Sequence, residues 1–134
     1  MTGVSDAMRV VLLVLGLATL IGCSGTTSAP TTTLRGIAVA GPVCPVVTLP
    51  PDPACEDRPV AGAEIVVRNA AGELVARVRT GEDGSFSVPV GVGRYELLPQ
   101  PSEGLLGTPE PLEVVVVEGI DPEPVVVAYD TGIR

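Results

Sequence analysis

Three cysteines, Cys23, Cys44 and Cys55, carry most of the reactive chemistry this chain has to offer. The last two bracket the stretch CPVVTLPPDPAC, with four prolines between them. Two thiols so placed suit a metal clip, a redox pair, a rigid exposed loop or a disulfide staple. A structural zinc site takes four Cys or His ligands, and the chain of 134 residues contains no His. Asp52, Glu56 and Asp57 supply hard oxygen atoms, but without the spacing of a calcium loop they read as a solvated acidic patch. A redox pair normally stands as Cys-x-x-Cys beside a helix, whereas these two cysteines are separated by residues 45–54. Ser85, Ser87 and Ser102 have no imidazole to activate them, so no nucleophilic centre emerges. The expectation is a protein that is not an enzyme and holds neither metal nor cofactor.

Charge narrows the partners further. The net charge is −8, and every one of the 8 basic side chains is Arg. Nucleic-acid affinity rests on cationic groups that release counterions, so this acidic chain is not expected to bind nucleic acid. There is no Trp, and both Tyr fall within strand-like segments, which leaves no aromatic platform on which a sugar ring stacks.

The N-terminus reads as an address. MRVVLLVLGLATLIGC extends from Met8 and Arg9 through an apolar run to Cys23. That run of about a dozen residues matches the apolar core of an export signal and falls short of the roughly 20 that span a bilayer. Asp6 sits oddly close to such a signal, and Met8-Arg9 makes a better start than Met1. Leu20-Ile21-Gly22-Cys23 resembles the lipobox of bacterial lipoproteins. In that family the signal is removed before the cysteine, whose thiol carries a diacylglyceryl group, often with a further acyl chain on the new amine. The resemblance implies a signal over residues 1–22 and a lipidated Cys23. It also implies a protein anchored in the cell membrane or the outer membrane, on its extracytoplasmic side. Ser24 follows where some two-membrane bacteria carry an Asp retention signal. Two or more acyl chains make such an anchor stable.

With Cys23 assigned to lipid, Cys44 and Cys55 remain as a pair in a compartment where disulfides persist, and a structural disulfide is expected. Closing a loop of about a dozen residues contributes roughly 3 kcal/mol on the chain-entropy account. Its prolines restrict the chain further. Pro45, Thr48, Pro50, Pro51, Asp52 and Pro53 form the candidate binding loop, since a rigid projection loses little freedom when a partner grips it.

The elements that would position this loop are strands. Residues 23–33, rich in Ser and Thr, read as a flexible tether. From Leu34 the pattern alternates: AEIVVRNA turns Ala63, Ile65 and Val67 to one face, and ELVARVRT turns Leu74, Ala76 and Val78 inward. SFSVPV groups Phe86, Val88 and Val90, and RYELLP groups Tyr95 and Leu97. Valine runs over 112–119 and 123–130 read as further strands. Glycine-bearing turns at 69–72 and 81–84 suit tight hairpins. With the segment at 34–41, the prediction is a seven-stranded antiparallel Greek-key sandwich over 34–130, followed by a short tail at 131–134. Leu105 and Leu106, in the long connection 99–111, are expected to tuck against the end of the core.

The order of these pieces resembles the carboxypeptidase regulatory-like domain, a transthyretin-type (prealbumin) sandwich. It is carried by Gly36-Ile37-Ala38-Val39, by PVAGAEIVV from Pro59 to Val67, by Thr80 to Phe86 with its Asp83-Gly84 turn, and by Gly93 to Leu97. The resemblance covers nearly all of the chain beyond the tether and implies a noncatalytic module. Segment 43–58 departs from the pattern, standing where the family has a short link. The expected role is structural or protein-binding, with an envelope protein as partner. The alternative is a lipoprotein that binds a small ligand or carbohydrate.

Overall fold

A computed structural model describes residues 31–134. The segment expected to be an export signal, Cys23 and the expected tether up to Pro30 lie outside the described residues. Strand β1 spans Thr31–Gly41 and begins three residues before the expected boundary at Leu34. Thr31, Thr32 and Thr33 pair with Gly91, Val90 and Pro89, so β-branched residues assigned to the tether serve as strand. Seven further strands follow: β2 (Arg58–Pro59), β3 (Glu64–Asn69), β4 (Leu74–Arg79), β5 (Ser85–Gly91), β6 (Gly93–Pro99), β7 (Leu112–Val116) and β8 (Val125–Asp130). The seven expected strands are present, and β2 is a two-residue addition.

Two sheets form the sandwich. One has the order β4-β3-β6-β7, antiparallel throughout. In the other, β1 carries β8 on one edge, while its opposite edge pairs first with β5 and then with β2. The β1–β8 pair is parallel, with Gly36 opposite Val125 and Gly41 opposite Asp130. The expectation of antiparallel pairing throughout is corrected here. β8 enters from the end of the molecule where β1 starts, so the two strands run the same way. All the intervening strands make up the long connection that a parallel pair requires.

The inner faces are almost wholly aliphatic. Leu34, Ile65, Val67 and Leu97 are 0 % exposed, and Val88, Val116 and Val127 are nearly so. Each such side chain contributes roughly 1.5–3 kcal/mol by leaving water. Phe86, the single phenylalanine, stands directly opposite Gly36 on the neighbouring strand, and its ring lies where a Cβ at Gly36 would be. Gly84, at φ 76°, brings the β4–β5 turn against β1, and the amide of Ala38 donates to the Gly84 carbonyl at 2.8 Å. Asp83 closes that turn by accepting from the Ser85 amide at 3.0 Å and the Ser85 hydroxyl at 2.6 Å. Tyr95 is buried, and its hydroxyl donates to the Gly91 carbonyl four residues upstream at 2.8 Å, as a tyrosine corner requires.

Two inward assignments change. Val67 of β3 faces Ala76 of β4, but Arg68 faces Leu74, so Val75 is the extra residue of a β-bulge. Directly opposed residues share a face, and the bulge therefore turns Leu74 outward beside Arg68, 57 % exposed. In the long connection, Leu105 packs on the core as expected, while Leu106 stays mostly exposed. Leu106 instead bridges to Asp130 and lies against Gly132. That contact ties down the tail, whose Thr131 amide also donates to the Gly41 carbonyl at 3.1 Å.

Candidate functional site

β1 delivers the chain into a loop over residues 42–57 that returns as β2. The Cys44 and Cys55 sulfurs are bonded, with their Cα atoms 5.2 Å apart, so the expected staple is present. Inside it, Pro53–Cys55 forms a single 3-10 turn, and the Asp52 carboxylate caps it by accepting from the Ala54 amide at 2.9 Å. The Thr48 hydroxyl donates to the Pro50 carbonyl at 3.1 Å. At the base of the loop the Asp57 carboxylate fills the space that a side chain at position 41 would need, so Gly41 admits it against the end of β1.

All six candidate binding residues, Pro45, Thr48, Pro50, Pro51, Asp52 and Pro53, are exposed. The structure separates their roles. Thr48 and Asp52 spend polar atoms on the loop's own backbone, and the prolines shape it. The loop's large side chains facing solvent are apolar: Val46 is 67 % exposed, Val47 89 % and Leu49 92 %. Sequence reasoning passed over these three residues. The signal was present in the run Val46-Val47-Thr48-Leu49, which prolines on both sides keep from becoming a core strand. Beside the disulfide, Val46, Val47, Pro51, Asp52, Glu56 and Asp57 line an open cleft of about 320 Å³. The lining combines aliphatic side chains with three carboxylates.

The titratable groups that depart from their ordinary behaviour lie elsewhere. Hydrogen bonds from the Ser85 hydroxyl and amide hold the Asp83 carboxyl below its usual value of 3.8. A hydrogen bond from the Arg134 guanidinium, reinforced by the Gly132 amide, does the same for Asp130. Burial pushes the Tyr129 phenol up, and its hydroxyl donates to the Gln100 carbonyl at 2.8 Å. Each of these groups serves a turn, a terminus or the core. Among the described residues, no cluster of three or more His, Cys, Asp or Glu side chains converges. The described residues also contain no helix long and apolar enough to cross a membrane.

No family model matches the chain, and no curated protein does. Solved structures do. The shaft pilin SpaA from Lactobacillus rhamnosus GG superposes with a TM-score of 0.58 at 8 % identity, over 75 % of this chain and 49 % of the pilin. The Bacillus anthracis TIE protein superposes with a TM-score of 0.55 at 18 % identity, over 75 % of this chain and 17 % of that protein. This chain thus spans about half of the pilin and a small part of the TIE protein. The likeness is one of fold. It establishes an all-β sandwich of two largely antiparallel sheets.

Proposed function

We propose that this protein is a lipid-anchored, noncatalytic module of the bacterial cell envelope, belonging with the carboxypeptidase regulatory-like sandwiches, and that its stapled loop captures a protein partner. The observation that carries the reading is the span of β1. The chain coming from Cys23 enters at Thr31, and the loop leaves at Gly41. Ten residue steps separate these points, about 33 Å of strand. An anchor through Cys23 holds one end at the membrane and leaves the loop at the other, facing away from it. The loop itself is closed by a disulfide, with its exposed valines and Leu49 held outward, so little order remains to be gained on binding. The mixed apolar and acidic lining of the cleft favours a protein segment that offers apolar and basic side chains together.

Support for the family comes from the interlock of its motif residues. Gly36 makes room for Phe86, Gly84 brings the turn onto β1, and Tyr95 closes on Gly91. The absence of Lys, His and Trp from the chain favours protein contact over catalysis or sugar stacking.

The test is crosslinking on intact cells followed by mass spectrometry, with Val47→Ser and Leu49→Ser in parallel. Substitutions at such exposed positions shift stability by less than about 0.5 kcal/mol. Capture of one repeatable protein by the wild type, lost in both variants with the thermal melt unchanged, supports the reading. Equal capture by the variants, or retention of glycans alone, overturns the loop as the site. Cys23→Ala tests the anchor separately: wild-type protein is released only by detergent, and the variant is soluble. A soluble wild type overturns the anchor.

A further inference from the structure

The end of the sandwich opposite the stapled loop carries a second apolar cluster. Val92 lies in the β5–β6 turn, and Val117 and Ile120 lie in the β7–β8 connection; they are 55 %, 50 % and 63 % exposed. The register brings them together, because Thr31 pairs with Gly91 and Gly93 pairs with Val116. With Thr31 and Thr32 of β1 they line a cleft of about 270 Å³. The side wall is acidic, from Glu118 and Asp121, and the Thr32 hydroxyl donates to Asp121 Oδ1 at 3.4 Å. The entering chain itself thus forms part of this cleft.

We infer that this apolar end rests on the bilayer, with Val92, Val117 and Ile120 dipping into the headgroup region while the stapled loop stands away from it. The inference rests on the lipid-anchor reading of Cys23. From Cys23 to Thr31 is 8 residues, and even fully extended they reach no more than about 29 Å. The cleft is built around the point where those residues arrive, so any anchored molecule keeps it within that distance of the membrane. An apolar surface held at such short range has a high local concentration of lipid to meet. Aliphatic side chains gain by entering the interface. Glu118 and Asp121, on the same connection, stay at headgroup level in water and repel anionic lipid, so the surface this end fits is zwitterionic. Val46, Val47 and Leu49 are as apolar, but they stand at the far end of β1, beyond contact with the anchor's bilayer.

The chain has no Trp, so a single introduced indole reports without background. Full-length lipidated protein carrying Ile120→Trp, Val92→Trp or Val47→Trp is reconstituted into phosphatidylcholine vesicles, plain or brominated on the acyl chains. The expected result is blue-shifted emission from positions 120 and 92, quenched several-fold more by brominated lipid than emission from position 47. Equal and weak quenching at all three positions, in protein that floats with the vesicles, overturns the inference and leaves the anchor standing. A blue shift at position 120 that grows with protein density, without quenching by brominated lipid, assigns this end to a second copy and overturns the bilayer contact. Protein that fails to float overturns the anchor reading and this inference together.

Discussion

At the residue scale, the motif positions are explained by contact. Gly36 and Phe86 lie fifty residues apart in sequence, yet the Phe86 ring fills the space a side chain at Gly36 would need. Phe86→Ala should cost about 3–5 kcal/mol, since the core has no other phenylalanine to close the void. Gly36→Ala should cost about 1–3 kcal/mol by forcing the ring and Val125 aside. Urea unfolding of both variants measures these losses, and a Gly36→Ala protein as stable as the wild type would contradict the packing described. Thr80 does comparable work with polar atoms: its hydroxyl donates to the Val60 carbonyl and accepts from the Ala63 amide, joining the approach to β3 with the end of β4. Asp83 and Asp130 give stability a pH dependence. Both carboxyls are depressed in the folded protein, so at acid pH the unfolded chain binds more protons. Their stabilisation is present in full above the ordinary aspartate range and is lost as pH falls through the lower folded-state values. Unfolding midpoints followed from about pH 7 down to about pH 3 should therefore decline less steeply in Asp83→Asn and Asp130→Asn than in the wild type. An unchanged acid limb would show that neither hydrogen-bonded carboxylate matters.

At the scale of elements, strands and turns were legible from alternation and glycine placement, and the core followed from them. Ile65, Val67, Phe86, Val88, Tyr95 and Leu97 lie where period-two reading puts them. What could not be read was set by partners remote in sequence. The bulge at Val75 depends on how β4 counts against β3, and nothing in ELVARVRT announces an unpaired residue. Val66, placed on the outer face with Glu64 and Arg68, is buried there between Arg77 and Leu98 of the neighbouring strands. The parallel β8 follows from topology, which no local pattern encodes. In the loop, the disulfide followed from counting cysteines, but the binding candidates were chosen for rigidity, whereas the most exposed large side chains are Val46, Val47 and Leu49. Opening the staple with Cys44→Ser and Cys55→Ser together should lower stability by roughly 3 kcal/mol, as the loss of a loop constraint of this length implies. A double variant that melts with the wild type would mean that the prolines alone hold the loop.

At the scale of the whole molecule, the sandwich has two differently equipped ends joined by its longest strand. One end carries the chain's entry and the Val92, Val117 and Ile120 cluster; the other carries the stapled loop, the 100–111 connection and the tethered tail. Beyond the cysteines, little covalent chemistry is available, and the architecture is suited to keeping two surfaces apart. β1 has a mechanical consequence in this arrangement. A pull between the chain ahead of Thr31 and a ligand gripped at the loop acts along β1 itself. Tension entering at one end of β1 and leaving at the other runs through the strand's own peptide bonds, already extended at about 3.3 Å per residue, so the hydrogen bonds to β5, β8 and β2 that lie across it carry little of the load. Under tension the attachment's lifetime is then governed by the ligand's grip on the loop and not by unfolding of the sandwich. The strand that spaces the two ends is also the cable that bears force between them.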